Sequence, residues 1–213
     1  MSQTQSKAFE SELRKSILRF GIEGLTEKQI LQLVKHYEML CKWNQRFNLT
    51  RITKPQDAAT LNYAESLYGA RFIGEAKTML DIGTGAGFPA FPIAITRPEL
   101  DVIALEANQK KSLFLTEAKC ELQLANLTVK TSRLEDIDCG GYDLLTCRAL
   151  DQAEAMLPSI ISGLTDRQRL MLYCVQDLLN RLTSHFLMGF KVEINQIPES
   201  EGRLIVIFSS GRS

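Results

Sequence analysis

Residues 81–89 read DIGTGAGFP, with glycines at three alternate positions behind an aspartate. Glycine adopts backbone conformations that other residues avoid, so Gly83, Gly85 and Gly87 can form a tight turn whose N–H groups approach a ligand closely. The dinucleotide-binding pattern G-x-G-x-x-G would require another glycine at position 88, where this chain has Phe88. The stretch therefore predicts a ligand-binding turn that departs from the dinucleotide pattern.

Two acidic residues at the ends of predicted strands narrow the choice of ligand. Asp81 would repel a pyrophosphate but can accept a hydrogen bond from an ammonium group, directly or through water. Glu106 ends the next predicted strand, where a carboxylate can accept hydrogen bonds from both hydroxyls of a ribose. A glycine turn that only connected a strand to a helix would not require both carboxylates. An ammonium group and a ribose without a diphosphate describe S-adenosylmethionine, which we expect as the cofactor.

These residues meet only if the strands before them lie side by side. From about residue 76, short β-rich runs alternate with helical segments, a rhythm typical of a parallel sheet covered by helices on both faces. The last two runs predict a hairpin, so one closing strand must be antiparallel. The predicted strands are residues 77–82, 101–107, 127–131, 142–148, 169–175, 190–197 and 203–210, and the helices among them lie near 89–97, 109–124, 151–163 and 177–188.

A helical region precedes the predicted sheet. Thr26 and Gln29 form a capping box, and the apolar residues that follow recur at helical spacing. We therefore expect an N-terminal helical region and a separate cofactor-binding domain. The predicted helices are 6–20, 26–43 and 56–73, and the predicted domains are residues 1–72 and 73–213.

The charge of the chain is zero overall but unevenly distributed. Residues 1–72 carry 11 Lys and Arg against 7 Asp and Glu, whereas residues 73–213 carry 14 against 18. Residues 41–54, CKWNQRFNLTRITK, hold four of the basic residues with Trp43 and Phe47 among them and no acidic residue. Such a segment can contact a phosphate backbone and stack on bases. The alternative is a solvated helix end in which the tryptophan anchors the core.

The cysteine pattern and the distribution of apolar residues argue against disulfide-rich, zinc-binding, secreted and membrane-spanning proteins. The five cysteines are odd in number and never spaced C-x-x-C, so neither a disulfide framework nor a zinc site is predicted. We expect buried, reduced thiols and no metal. The first residues lack the apolar core of a signal peptide, and no charge-free apolar run reaches 18 residues. The chain is therefore expected to be cytoplasmic, away from membranes. The cysteines are Cys41, Cys120, Cys139, Cys147 and Cys174.

The chain contains, in this order, the blocks WNQRFNLTRI, LDIGTGAGFPAFPIAI, LEANQKKSLFL, SRLEDI and CRAL. From about residue 30 to its end it resembles the RsmG (GidB) family of bacterial 16S rRNA (guanine-N7) methyltransferases. The resemblance implies a class I S-adenosylmethionine-dependent methyltransferase fold, which is an α/β fold with a Rossmann-like seven-stranded, mostly parallel sheet and an N-terminal helical extension. It implies methyl transfer to N7 of one guanine in 16S rRNA of the small ribosomal subunit or its precursor.

The chemistry of N7 agrees with the residues present. Guanine N7 has a free lone pair and loses no proton on attack, so alignment suffices and no general base is needed. The sequence has no Asn/Asp-Pro-Pro-aromatic block for an exocyclic amine and no Pro-Cys dipeptide for cytosine C5. Arg148 stands where a metal-dependent O-methyltransferase would carry acidic residues.

The resemblance also assigns site residues. It places Leu134 and Glu135 beside the adenine and makes Arg148 the residue that closes the site, which we predict to be catalytic. The predicted cofactor contacts are Asp81, Gly83, Thr84, Gly85, Gly87, Phe88, Glu106, Ala107, Leu134, Glu135 and Arg148, and the predicted RNA contacts are Arg46, Arg51, Lys110 and Arg133.

Three positions depart from the family pattern. Tyr63 stands where the helix before the sheet carries a histidine, Gln176 where the fifth strand ends in a lysine, and Ala90 where a glycine follows the proline. The cofactor half therefore matches better than the RNA half. Two alternatives remain: a divergent paralogue that methylates another RNA site or a small molecule with the same cofactor, and a non-catalytic protein that binds the ribosome.

Overall fold

The computed structural model describes residues 3–148, 153–186 and 189–211. Its centre is one seven-stranded sheet. The strands are β1 (Thr78–Ile82), β2 (Asp101–Leu105), β3 (Leu127–Lys130), β4 (Leu144–Arg148), β5 (Arg169–Val175), β6 (Phe190–Gln196) and β7 (Arg203–Ser210). Their order is β3-β2-β1-β4-β5-β7-β6. The first five pair in parallel, and β7 is antiparallel to both neighbours, so the predicted sheet and its antiparallel closing strand are confirmed.

Seven helices and one isolated 3₁₀ turn, Leu134–Asp136, accompany the strands in the described ranges. The helices are α1 (Gln3–Arg19), α2 (Glu27–Phe47), α3 (residues 55–72), α4 (Ala90–Thr96), α5 (Gln109–Leu122), α6 (Ala153–Ser162) and α7 (Gln176–Phe186). The predicted helices 151–163 and 177–188 each include two residues that lie outside the described part of the chain. No described helix has both the length and the apolar character needed to cross a membrane.

Helix α3 is not the single regular helix that the sequence predicted for residues 56–73. It consists of an α-helical turn, Pro55–Asp57, a π-helical stretch, Ala58–Ala64, an α-helical stretch, Glu65–Gly69, and a 3₁₀ turn, Ala70–Phe72. π-Helical geometry is rare and appears mostly at functional sites. Apolar periodicity cannot distinguish it from an α-helix, because both leave similar residues on the buried face.

The order of the strands creates the crevice in which ligands bind to open α/β sheets. β1 lies between β2 and β4, and Ile82 at its carboxyl end pairs with Leu105 on one side and with Cys147 on the other. The helices that follow β1 and β2 pack on one face of the sheet and the helix that follows β4 packs on the other, which opens a gap at that edge. The residues just after the three strand ends therefore face one another across the gap.

The N-terminal helices share a core with the sheet. The predicted capping box at Thr26 starts α2, and Asn48 ends it in the left-handed conformation. Fully buried Phe9 and Leu33 of α1 and α2 belong to the same apolar cluster as Phe91 of α4. Burial of each such side chain contributes about 1.5–3 kcal/mol. The other sheet face is covered by α6 and α7.

None of the five cysteines, all of which lie in the described residues, forms a disulfide. Cys41, Cys147 and Cys174 are buried, as expected, whereas Cys139 is half-buried. The expectation of burial is wrong for Cys120, which is exposed because it lies on the solvent side of α5.

Candidate cofactor and active site

A cavity of about 480 Å³ opens at the carboxyl ends of β1, β2 and β4. We call it the main cavity. Most of the predicted cofactor residues line it, together with one predicted RNA contact. These residues are Gly83, Thr84, Gly85, Phe88, Glu106, Ala107, Leu134, Glu135, Arg148 and, for RNA, Arg133.

The remaining predicted residues do not line the main cavity. Asp81 and Gly87 are not among the wall residues, and Asp81 is fully buried. Arg46, Arg51 and Lys110 are exposed on the surface outside the cavity wall. The sequence reasoning missed wall residues from the segment that follows α2, namely Leu49, Thr50 and Ile52, and it also missed Asn62 in α3.

The glycine turn has the backbone geometry that its composition predicts. Gly85 has φ +61° and Gly87 has φ +92°, a region that residues with side chains rarely adopt. At Gly87 an added Cβ would lie 2.6 Å from the ring of Phe91, so a side chain would also collide with α4. The turn is closed by hydrogen bonds from the backbone N–H groups of Gly87 and Phe88 to the carbonyl oxygen of Thr84.

Glu106 fastens the turn after β1 to the loop after β2. Its Oε2 accepts a hydrogen bond from Gly85 N at 2.9 Å, and its Oε1 accepts one from Asn108 N at 2.8 Å. The residue is only 7% exposed yet lines the main cavity. An ionised carboxylate has about four acceptor positions, so each oxygen can accept a further hydrogen bond from a bound hydroxyl.

Asp81 is enclosed by protein groups. Its Oδ1 accepts a hydrogen bond from Thr146 Oγ1 at 2.8 Å, and its Oδ2 accepts one from Ala90 N at 3.2 Å. These bonds join β1 to β4 and fix the start of α4. Asp81 is fully buried and does not line the main cavity. Its predicted contact with the cofactor, direct or through water, stays a prediction.

The burial of Asp81 predicts how stability depends on pH. Burial raises the pKa of Asp81 from 3.8 to about 6, against the opposing effect of its hydrogen bonds. The folded protein thus binds this proton more tightly than the unfolded chain. The resulting stabilisation is fully present below about pH 4 and is lost as the pH rises through 6, an effect of roughly 3 kcal/mol.

We therefore expect the Asp81→Asn variant, which cannot titrate at this position, to gain relative to the wild type as the pH rises. The difference between their free energies of unfolding should move in favour of the variant by up to about 3 kcal/mol between pH 4 and pH 7. Urea denaturation of both proteins at the two pH values measures it. A difference that does not change with pH would contradict the prediction.

Arg148 connects the end of β4 to α3. Its guanidinium donates hydrogen bonds to the Asn62 carbonyl oxygen at 3.3 Å, to Ser66 Oγ at 3.2 Å and to the Leu61 carbonyl oxygen. It also pairs with Glu65 Oε2 at 3.2 Å. The side chain lines the main cavity, but these bonds fit a residue that positions α3. Its catalytic role stays a prediction.

Asn62 is a wall residue of the main cavity that only the structure identifies as a candidate ligand contact. It lies in the π-helical stretch, is 4% exposed, and its Nδ2 has no hydrogen-bond partner. A buried donor left unpaired costs about 1–3 kcal/mol, which a ligand acceptor could recover. Only the neighbouring departure at Tyr63 marked this stretch in the sequence.

The three positions that depart from the family pattern lie in different surroundings. Tyr63 is fully buried, and its hydroxyl lies 2.7 Å from Nδ1 of His36. The backbone N–H of Ala90 donates a hydrogen bond to Asp81, and this bond does not involve the alanine side chain. Gln176 is exposed at the start of α7. Across the described residues, no group of three His, Cys, Asp or Glu side chains could hold a metal ion.

The strand order and the glycine turn after β1 define a class I S-adenosylmethionine-dependent methyltransferase fold. A ribosomal protein L11 methylase from Lactobacillus delbrueckii subsp. bulgaricus has a similar structure, with a TM-score of 0.59 and 16% identity over 72% of this chain and 80% of that chain. A SAM-dependent O-methyltransferase from Thermotoga maritima matches with a TM-score of 0.55 and 17% identity over 82% and 72% of the two chains.

Sequence comparison identifies the family. Residues 29–186 match the model of the GidB family, described as rRNA small subunit methyltransferase G, and the chain belongs to this family. A ribosomal RNA small subunit methyltransferase G from Xanthomonas euvesicatoria is 42% identical over 120 residues, which cover 56% of this chain and 56% of that relative. The protein of that name from Chromobacterium violaceum is 36% identical over 67% and 68% of the two chains. The chain thus matches little more than half the length of the first of these relatives.

Proposed function

We propose that the protein transfers a methyl group from S-adenosylmethionine to N7 of one guanine in 16S rRNA of the small ribosomal subunit or its precursor. The observation that carries the proposal is the convergence, in one cavity, of the glycine turn, Glu106 and the Leu134–Glu135 pair. Membership of the rRNA small subunit methyltransferase G family supports the RNA substrate.

The residues of the main cavity fit S-adenosylmethionine. Glu106 can accept hydrogen bonds from ribose hydroxyls, Leu134 offers an apolar surface for the adenine, and Asn62 offers an unpaired amide. The cavity has the mixture of apolar wall and few polar groups that is typical of cofactor sites. When bound, this cofactor supplies an electrophilic methyl group on a sulfonium centre.

The chain's own task is then to hold the base in line with that methyl group. Attack by N7 releases no proton, and among the described residues the main cavity is lined by neither histidine nor cysteine. Arg148 contributes by fixing α3 against β4, so that the wall beside the cofactor is rigid before RNA arrives. Most of the rate enhancement would come from this alignment.

The surface beside the main cavity suits RNA. Phe47 is 38% exposed, and Nζ of Lys110 lies 6.0 Å from the centre of its ring. Arg46 and Arg133 are also exposed, and both are positively charged. Trp43, by contrast, packs against the core and donates its indole N–H to Glu117, which favours the anchoring interpretation for this residue. Phe47 is therefore the aromatic residue of this segment that we propose for base stacking.

We expect charge reversal on this surface to weaken binding to small ribosomal subunits. The double variant Arg46→Glu/Lys110→Glu should bind about tenfold or more weakly at physiological salt and should show a smaller dependence of affinity on salt concentration, because fewer phosphate contacts release fewer counterions. Filter binding across a salt series measures both. Lys191→Glu, on the edge strand β6, is the matched control and should bind like the wild type.

The proposed reaction is tested by transfer of radiolabelled methyl from S-adenosylmethionine to small subunits that lack the N7 mark, followed by nuclease digestion. Label in 7-methylguanosine at one site supports the proposal. Label elsewhere in the RNA would favour the divergent paralogue. RNA binding without transfer would favour the non-catalytic alternative, and cofactor binding without RNA affinity would favour a small-molecule substrate.

A further inference from the structure

A second, smaller cavity adjoins the main cavity at the ends of β4 and β5. Its volume is about 260 Å³, and Ile52 and Arg148 belong to the walls of both cavities. We call it the side slot. Most of the residues that line it are apolar. One of these residues, Val175 at the end of β5, is 48% exposed. The side slot is smaller than the roughly 300–1,000 Å³ that drug-sized ligands occupy, which suits a single base.

One buried carboxylate lines the side slot. Glu65 is 3% exposed and comes from α3. Its Oε2 pairs with Arg148, whereas its Oε1 lies 2.9 Å from Nη2 of Arg203 but has no aligned hydrogen bond from any described residue. Glu65 Oε1 therefore keeps its acceptor capacity inside a mostly apolar slot, whose other charged wall residues are Arg148 and Arg203. The side chain of Arg203 is 33% exposed and can turn toward solvent when another donor approaches.

The chemistry of a carboxylate selects among the bases. Guanine carries adjacent N1–H and N2–H donors on its Watson–Crick edge, and two donors side by side match a carboxylate. Adenine has an acceptor at N1, whose lone pair would face the carboxylate. The N7 atom of guanine lies on the opposite edge of the ring. A guanine whose Watson–Crick edge meets Glu65 thus presents N7 away from Glu65, toward the neighbouring main cavity.

We propose that the side slot takes the target guanine out of its stack and that Glu65 reads its N1–H and N2–H donors as the specificity-determining residue. This inference rests on the proposed function. The apolar walls replace part of the stacking that the base loses when it leaves the RNA, which is one of the costs of base extrusion. Arg148 and Arg203 hold the carboxylate in place and compensate its charge before the base enters.

The test compares guanosine with inosine at the methylated position. Inosine lacks the N2 amino group but keeps N1–H and N7. Small subunits reconstituted with either nucleoside at the position that receives the label are assayed for methyl transfer. For the wild type we expect kcat/KM to be at least tenfold lower with inosine, because a charge-assisted hydrogen bond is lost.

Glu65→Gln should lower kcat/KM on guanosine and reduce the guanosine-to-inosine ratio to about threefold or less. Arg203→Gln is the matched control, because it breaks one of the two ion pairs of Glu65 but keeps the carboxylate, so its ratio should stay at or above tenfold. A wild-type ratio near one would overturn the proposal, as would equal ratios in the two variants, which would make Glu65 only a structural partner of the arginines.

A check of folding and a measurement of cofactor binding keep these outcomes distinct. If Glu65→Gln does not fold, the wild-type ratio and that of Arg203→Gln decide the question alone. Binding of S-adenosylmethionine by each folded variant should match the wild type, since Glu65 does not line the main cavity. Absence of transfer by the wild type even to guanosine would instead refute the proposed function itself.

Discussion

Replacement of Glu106 by alanine is expected to weaken S-adenosylmethionine binding tenfold or more. Each charge-assisted hydrogen bond to a ribose hydroxyl contributes about 1.5–3 kcal/mol, and 1.4 kcal/mol corresponds to a factor of ten in affinity. The same substitution removes the acceptor that holds Gly85 N in the cofactor turn. Both effects act on one binding step, which isothermal titration calorimetry measures directly.

Two further variants separate the contributions at Glu106. Glu106→Gln keeps one acceptor oxygen and should bind the cofactor with intermediate affinity. Glu75→Ala removes an exposed carboxylate just before β1 and should leave binding unchanged. Thermal unfolding without ligand shows whether Glu106→Ala remains folded. An affinity equal to that of the wild type in a folded Glu106→Ala variant would eliminate the ribose role.

The second large effect concerns stability and is expected for Arg148→Ala. The side chains of Arg148 and Glu65 are 14% and 3% exposed, so removal of the arginine leaves a buried carboxylate poorly compensated. Breaking such a pair typically lowers the free energy of unfolding by about 3–5 kcal/mol. Burial already raises the pKa of Glu65, and the two nearby arginines oppose that rise. Urea denaturation at neutral pH provides the measurement.

Matched variants test whether the buried charge is responsible. Arg148→Met combined with Glu65→Leu removes both partners and should cost less than Arg148→Ala alone, because no charge is left buried. Arg133→Ala, an exposed arginine at the same cavity, should change stability by less than about 0.5 kcal/mol. A loss of under about 1 kcal/mol in Arg148→Ala would show that Arg148 is available to ligands and would favour its predicted catalytic role.

The sheet and the cofactor turn could be predicted because both depend on local sequence. Near-continuous apolar runs such as RLMLYCV in β5 are typical of strands buried on both faces. Alternate glycines behind an apolar strand leave few other backbone arrangements. Once the strands are parallel, Glu106 must follow the strand next to β1, and its place at the cavity follows from topology.

The partners of the buried polar groups could not be predicted in the same way. Whether Asp81 faces the cavity or Thr146 depends on the packing of β1 against β4. The two residues lie far apart along the chain, so local sequence does not reveal their contact. The bonds from Arg148 to α3 likewise depend on the π-helical stretch, and nothing in the apolar pattern indicates a π-helix. Asn62 was missed for that reason, since its orientation follows from the wider helical turn.

The position of β7 between β5 and β6 has a consequence for the way the chain is made. During synthesis β6 emerges first, but its only strand partner in the described sheet is β7. Until β7 has left the ribosome, the edge of β5 stays open and β6 lacks its partner in the described sheet, a state that invites pairing with other chains. Arg203 reaches Glu65 only when β7 inserts. Completion of the side slot thus requires that β7 has been made, and a chain that stops before residue 203 is expected to aggregate.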